Sequence, residues 1–271
     1  MQPRNEVRLA SPLVLMYHRV CDDREARPSE FVVTASAFRR HMRYLAEHGY
    51  WTPRLSDVLR AGGRAPRRRG TPVLLTFDDG YADNFANALP ALAEHGFTAA
   101  FFPVLDLRRR FNHWDDAPEL RAPLMSVDEL RALEDAGMEL GSHTLGHPWL
   151  TRASAARLAD ELERSREVLA SVAQRPLAVL AYPYGDVDAR VKRAVQATGY
   201  EAALAVNSGP LDIRADPFEI RRQRVGNGSL RLILSGAERL YAWSKWKVGS
   251  RLAAMGRNGE RAPDLGALGV R

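Results

Sequence analysis

Residues 73–80 read Val-Leu-Leu-Thr-Phe-Asp-Asp-Gly, an apolar run that delivers two adjacent carboxylates, Asp78 and Asp79, into a glycine turn. Neighbouring carboxylates repel, so keeping both ionised needs a cation or several hydrogen bonds. Asp-Asp-Gly is also a common turn, and taken alone it divides evenly between chemistry and architecture. A second segment, Gly141-Ser142-His143-Thr144-Leu145-Gly146-His147-Pro148, carries two histidines four apart. That spacing would share a helix face, but Gly146 and Pro148 argue for a loop just past a strand. Neutral imidazoles suit zinc and neighbouring transition metals, and two histidines plus one carboxylate with open positions form a catalytic arrangement. The metalloprotease pattern needs Glu directly after the first histidine; Thr144 stands there and disfavours that class. With Asp79 added, the pair makes a facial triad. A third segment, Ala181-Tyr182-Pro183-Tyr184-Gly185, is a turn that serves either packing or the rigid presentation of a backbone N–H to an oxyanion.

These segments need elements to bring them together. Seven short apolar runs read as strands: 13–18, 73–77, 99–104, 138–142, 178–182, 202–206 and 218–225. Helical spacing separates most of them. Phe38, Met42 and Leu45 share a face before Gly49, and Phe85, Leu89 and Leu92 share one before Gly96. Ser126 with Glu129 forms a capping box for a helix ending near Gly137. Helices over 154–173 and 187–198 complete the alternation. Such alternation implies parallel pairing through right-handed crossovers, as an open sheet or an incomplete barrel. His18, Asp78, His143 and Tyr184 fall at or just beyond the C-terminal ends of different strands. A barrel gathers those ends at one mouth. The expected fold is therefore α/β: a distorted, incomplete (β/α) barrel of about seven parallel strands, with the site at their C-terminal ends.

The 271 residues are 45% hydrophobic, enough for one sizeable core. Part of the net charge of +6 sits in runs at 64–69, 108–110 and 221–224. These are expected to be solvated loops, the alternative being attraction to anionic lipid or a phosphate-bearing partner. No basic and aromatic module points to nucleic acid. Cys21 is the single cysteine, which excludes an intramolecular disulfide. The apolar stretch 13–17 is too short for a signal peptide, and nothing approaches the roughly 20 apolar residues of a membrane span. A cytoplasmic location, optionally at the inner membrane face, is expected. Beyond residue 228, Leu230, Ile233, Leu234, Ala237, Leu240 and Tyr241 fit one helical face, with Trp243 and Trp246 following. The expected organisation is a main domain over 1–228, a basic amphipathic helix over 229–255 and a disordered tail over 256–271. That helix either makes a peripheral membrane contact or packs against the barrel.

The order TFDDG, SHTxxH and PYG, at these separations, resembles the polysaccharide deacetylases with a NodB-type homology domain, carbohydrate esterase family four, over roughly residues 11–225. The resemblance implies one divalent metal, zinc first, with nickel or cobalt as alternatives. It implies Asp79, His143 and His147 as metal ligands, Asp78 as general base and the Tyr184 backbone as oxyanion donor. Three features depart from the family pattern. An Arg two residues before the Pro of PYG is usual, and Ala181 stands there. The Asp and Trp motif that partners this Arg is not recognisable. The late Leu-x-His motif that supplies the general acid is missing, since no histidine comes after His147.

A branch of the family that deacetylates biofilm poly-N-acetylglucosamine is circularly permuted, carries its acid histidine on an early strand and tolerates Ala in the Arg position. Residues 13–18, Leu-Val-Leu-Met-Tyr-His, are similar to that arrangement and make His18 the implied acid, against the alternative of a packed core histidine. The expected function is metal-dependent N-deacetylation of an N-acetylated sugar in a polysaccharide, oligosaccharide or lipid-linked precursor, as in exopolysaccharide biosynthesis. The rivals are an O-acetyl esterase of the same fold and a catalytically inactive carbohydrate-binding relative. The complete base, ligand and acid set argues against the second.

Overall fold

The first apolar run forms β1 (Leu13–Tyr17), buried at every position as a parallel strand covered on both faces must be. The computed structural model describes residues 11–26, 29–114, 121–206, 208–228 and 230–235. After β1 come β2 (Arg19–Cys21), β3 (Val32–Thr34), α1 (Ala35–Glu47), β4 (Tyr50–Trp51), α2 (Leu55–Arg60) and β5 (Thr71–Asp79). A π-helical turn (Asn84–Ala88) leads into α3 (Leu89–Glu94), then β6 (Ala100–Pro103), α4 (Val127–Asp135) and β7 (Glu139–Leu140). The chain continues through α5 (Ala155–Val172), β8 (Val179–Ala181), α6 (Ala189–Ala197), β9 (Ala202–Ala205), β10 (Ile220–Arg221), β11 (Gln223–Arg224) and α7 (Leu230–Leu234).

β1 lies between β5 and β11, and parallel pairing runs on from β5 to β6 and from β6 to β7. A parallel bridge between Ser142 and Leu180 joins the end of β7 to β8. There Ser142 N–H donates to Val179 O at 3.0 Å and Ala181 N–H to Ser142 O at 2.8 Å. β8 pairs with β9, and β9 with β10. Because β10 and β11 are successive pieces of one segment, the order returns to β1: Ile220 pairs with Leu204, while Gln223 pairs with Leu15. All of these pairings are parallel. The seams rest on very short registers, and the barrel is correspondingly distorted.

Strand alternation sorts side chains between two layers. Val14, Leu74, Phe102, Val179, Ala181, Leu204 and Ile220 form one cluster inside the barrel, with Leu55 and Val58 of α2 packed on it. On the outside, Tyr17 meets Phe38 of α1 and Phe77 of β5 at ring distances of 5.1 and 5.3 Å, and Phe77 stacks on Phe101 at 4.6 Å. Leu180, Ala203 and Ala205 face Leu158, Leu162, Val191 and Val195 of α5 and α6. The helix starts are capped as their sequences require. Thr34 accepts from Ala37 N–H, Ser126 and Glu129 make the full capping box, and Ser154 accepts from Arg157 N–H.

Three expectations need correction. The run 218–225 is not one strand: it breaks at Arg222 into β10 and β11, which pair with different neighbours. The helix before Gly96 begins with a π turn, so its buried positions are Asn84, Ala88, Ala91 and Leu92, while Phe85 and Leu89 stay half-buried. The extra residue of a π turn rotates the rest of the helix about its axis, which a period of 3.6 does not anticipate. The basic run 221–224 is not a solvated loop, because Arg221 and Arg222 are buried. Arg64, Arg67–Arg69 and Arg108–Arg110 are exposed as expected. The short pieces β2, β3, β4 and α2 show no periodicity long enough to read.

The chain divides into one unit ending at Leu230 and another beginning at Arg231. Only residues 231–235 of the second are described, so the helix expected over 229–255 and the tail over 256–271 otherwise fall outside the described residues. Among the described residues no helix is long and apolar enough to cross a membrane. Cys21 is a buried free thiol.

The barrel end opposite the strand C-termini depends on one carboxylate. Arg54 gives α2 no side-chain cap; instead Glu139, the first residue of β7, accepts from Leu55 N–H at 2.6 Å and Ser56 N–H at 3.2 Å. Glu139→Ala leaves both donors unpaired and is expected to cost about 1–3 kcal/mol. The check is thermal unfolding, where a Tm equal to wild type would show that the cap contributes nothing.

Candidate active site

Alternation along β5 points Leu74, Thr76 and Asp78 inward, and on that pattern Asp79 would face away. It does not, because Asp79 leaves the strand with φ of 71°. Gly80 comes next with φ of 79°, where an added Cβ would lie 2.8 Å from Pro103 Cβ. The two carboxylates therefore reach one mouth. Asp79, Thr144, His147 and Tyr184 are the non-glycine residues with positive φ among the described residues, and all belong to the three motifs. Each costs on the order of 1–2 kcal/mol, which the surrounding hydrogen bonds must offset.

Asp79, His143 and His147 are buried, and one ligand atom from each lies within 4.8 Å of the others. Asp79 Oδ1 is 3.3 Å from His143 Nε2 and 3.4 Å from His147 Nε2. His143 Nδ1 donates to Ala181 O at 2.7 Å, which turns its Nε2 toward Asp79. Asp79 Oδ1 itself is a buried oxygen without a hydrogen-bond partner. A carboxylate oxygen and two ring nitrogens converging in this way suit a divalent cation. Burial would raise the Asp79 carboxyl, but the imidazoles, His143 foremost, hold it well below the usual carboxylate range. His147 is pushed down to about 3 by burial and by His143 beside it, and is neutral at pH 7. Burial also acts against a charged His143, yet Asp78 and Asp79 outweigh it and raise its pKa above the ordinary value.

The loop carrying both histidines is clamped from α5. Glu161, buried, accepts from Leu145 N–H at 3.1 Å and Gly146 N–H at 2.7 Å, and Thr144 Oγ1 accepts from His147 N–H at 3.0 Å. The His147 ring sits against Trp114 at 4.6 Å and Tyr184 at 4.5 Å. Tyr184 occupies the short turn Pro183–Gly185 with φ of 57°, its ring stacked on Trp149 at 4.0 Å.

Asp78 has a different partner. Arg222, 2% exposed, donates Nη1 to Oδ1 at 2.7 Å and Nη2 to Oδ2 at 2.6 Å, a bidentate pair. Its Nε donates to Ala205 O at 3.2 Å. Burial pushes the Asp78 carboxyl up, but Arg222, with His143 and His18 behind it, brings it below its ordinary value. The guanidinium comes from the break between β10 and β11, not from the position before PYG, where Ala181 stands. His18 sits just after β1 and continues the inward parity of Val14 and Met16. Its ring meets Phe31 at 4.9 Å, and Nδ1 has no hydrogen-bond partner. Burial lowers its pKa, against the pull of Asp79 and Asp78. His18, Asp78, Asp79, His143, His147 and Tyr184 all line one cavity of about 310 Å³.

Residues 65–203 match the sequence profile of the polysaccharide deacetylases. The chain belongs to that family. YxkH of Bacillus subtilis strain 168, whose name places it among the polysaccharide deacetylases, is 24% identical over 217 residues, 79% of this chain and 71% of the relative. Among solved structures, the deacetylase PplD of Streptococcus pyogenes has a TM-score of 0.68 at 21% identity, covering 80% of this chain and 93% of that one. A de-N-acetylase from Aggregatibacter actinomycetemcomitans has a TM-score of 0.67 at 21% identity, covering 80% and 95%. These likenesses speak for the fold.

In this polysaccharide deacetylase the six expected site residues thus meet at one cavity. Trp114 lines the same cavity, while Arg222 and Glu161 stand behind it, holding Asp78 and the histidine loop; none of the three stood out in the sequence. Arg222 hides in a basic run that reads as surface, and its signal is the apolar strand pattern around it. Glu161 looks like any helix carboxylate, and its only trace is that it shares a face with Leu158 and Leu162.

The charges of the site lead to two expected outcomes. Arg222→Met leaves a buried carboxylate unpaired, at a cost of about 3–5 kcal/mol. The Asp78 pKa should then rise, because burial is no longer opposed by its main partner, and the acid limb of the pH–rate profile should move to higher pH; an unmoved limb would refute the coupling. Without metal, a raised His143 is more than half protonated at pH 6.5, the ordinary histidine value. Zinc uptake at that pH should therefore release a proton, visible as a buffer-dependent heat of binding. Uptake with no proton release would contradict the assignment.

Proposed function

We propose that this deacetylase is a metal-dependent N-deacetylase that hydrolyses the acetamide of an N-acetylated sugar and releases acetate. The observation that carries the reading is one cavity lined by a cation-ready Asp79, His143 and His147, by Asp78 held by Arg222, and by His18. Asp78, kept ionised by Arg222, takes the proton of the attacking water. The backbone N–H of Tyr184 supports the charge that develops on the carbonyl oxygen. A divalent ion on Asp79, His143 and His147, zinc by the chemistry of its donors, would acidify the water and polarise the carbonyl. His18, in its protonated form, then hands a proton to the nitrogen as the C–N bond breaks, leaving acetate and a free amine, and the proton held by Asp78 goes to solvent as His18 is reprotonated.

The presence of His18 favours an amide over an ester. An amine leaves a tetrahedral carbon only once its nitrogen is protonated, whereas an alkoxide or phenolate depends less on an acid. The Asp78 and Arg222 pair likewise favours an enzyme over an inactive binding relative, since a buried ion pair is costly and a sugar-binding cleft has no need of it.

The test is mass spectrometry of N-acetylglucosamine oligomers after incubation with zinc-loaded protein, where loss of an acetyl group is expected. Asp78→Asn should lower turnover at least about 10²-fold with metal content unchanged, since it removes the base and keeps the ligands. His18→Ala should lower amide turnover by about 10²- to 10⁴-fold and affect phenyl acetate much less. Intact N-acetyl oligomers alongside turnover of an O-acetylated sugar would favour the esterase. Equal losses on both substrates in His18→Ala would remove His18 as the acid.

A further inference from the structure

We infer that Asn84 is a positioning residue for His18, aiming the imidazole by gripping the main chain at the His18 carbonyl and at the Val20 N–H just after it. The inference rests on the reading of His18 as the proton donor.

The parallel ladder between β1 and β5 ends at Tyr17 and Phe77, one step short of His18. Beyond it β5 turns at Asp79 and can no longer pair with the departing chain. Asn84 continues the ladder with its side chain. Its Nδ2 donates to His18 O at 2.7 Å and its Oδ1 accepts from Val20 N–H at 3.1 Å. This donor and acceptor pair is what a neighbouring peptide would offer, and the two partners fix which way the amide points. Asn84 is fully buried, in the π turn shortly after the Asp78–Asp79 motif. Two neighbours extend the grip: Asn87 Nδ2 donates to Val20 O at 2.8 Å, and Arg19 Nε pairs with Asp83 Oδ2 at 2.8 Å.

The His18 ring needs such help. Its Nδ1 has no hydrogen-bond partner, so no contact at that nitrogen orients it as Ala181 O orients His143. Phe31 gives it an apolar edge, but such a contact tolerates sliding. The direction of the imidazole is therefore set mainly by the backbone from which it hangs. A side chain only a few residues after the carboxylates holds that backbone, so the base and the acid are referenced to the same stretch of chain.

The test compares Asn84→Ala, His18→Ala and the double variant on an N-acetylglucosamine oligomer and on phenyl acetate, with metal content and Tm recorded. Asn84→Ala should lose about 10-fold or more on the amide and less than about 3-fold on the ester. The double variant should be no slower on the amide than His18→Ala, because the two residues act as one unit. A generic loss of structure would lower both substrates together and multiply with His18→Ala, and either result would overturn the inference. If His18→Ala itself shows no amide-selective loss, the acid reading fails instead, and the two failures are told apart. Should Asn84→Ala not fold, Asn84→Asp keeps the volume and the acceptor for Val20 N–H and removes the donor to His18. The same selective, non-additive loss is expected of it, and a parallel loss on both substrates would refute the idea.

Discussion

Two consecutive carboxylates, both buried at the end of one strand, are the constraint around which the rest is built. Neither can be ionised there without compensation, and the compensation comes from opposite directions. Asp78 receives a guanidinium from Arg222, while Asp79 receives two imidazoles from the loop after β7. The left-handed turn at Asp79 makes this division possible, since it swings the second carboxylate off the strand parity. Two chemically identical side chains thereby acquire different environments. The break between β10 and β11 answers the same requirement. A regular strand would pair with β9 or with β1, whereas the kinked segment pairs with each in turn and sends Arg222 between them to Asp78.

The strained positions reinforce this view. Left-handed φ at four non-glycine residues is unfavourable, yet each lies where local hydrogen bonds over-determine the chain. Glu161 and Thr144 hold the backbone around His147, and Gly185 N–H donates to Tyr182 O across the Tyr184 turn. Hydrogen bonds thus fix the turns that carry the site. Groups fixed in this way are the condition for electrostatic stabilisation without reorganisation.

Much of this is legible in the sequence because it rests on period and punctuation. The seven core runs alternate with helical stretches, and Gly and Pro mark where the chemistry-bearing turns must lie. The features that escape the sequence depend on distance in space. Arg222 reads as part of a charged surface run, and only its contact with Asp78 explains why an arginine sits 2% exposed inside a barrel. The π turn at Asn84 is invisible because Phe85, Leu89 and Leu92 satisfy an ordinary helical spacing. Its reason is polar: Asn84 must face β1 to meet His18 O and Val20 N–H. Pattern reading weighs apolar positions and is blind to an amide placed for hydrogen bonding.

The position of His18 near the start of the barrel is explained by ring order. β1 is hydrogen-bonded to β5 on one side and to β11 on the other, so the first and last strands of the barrel are neighbours. In a ring, the place where the chain enters is free to move by one strand without altering any strand's neighbours. A histidine at the C-terminal end of that strand reaches the same mouth whether the strand opens or closes the barrel. The difference lies in how the strand end is held, because a first strand runs straight on into β2 and β3 and needs its turn fixed from outside. The side chains of Asp83, Asn84 and Asn87 supply that fixing, directly after the carboxylates the histidine must face.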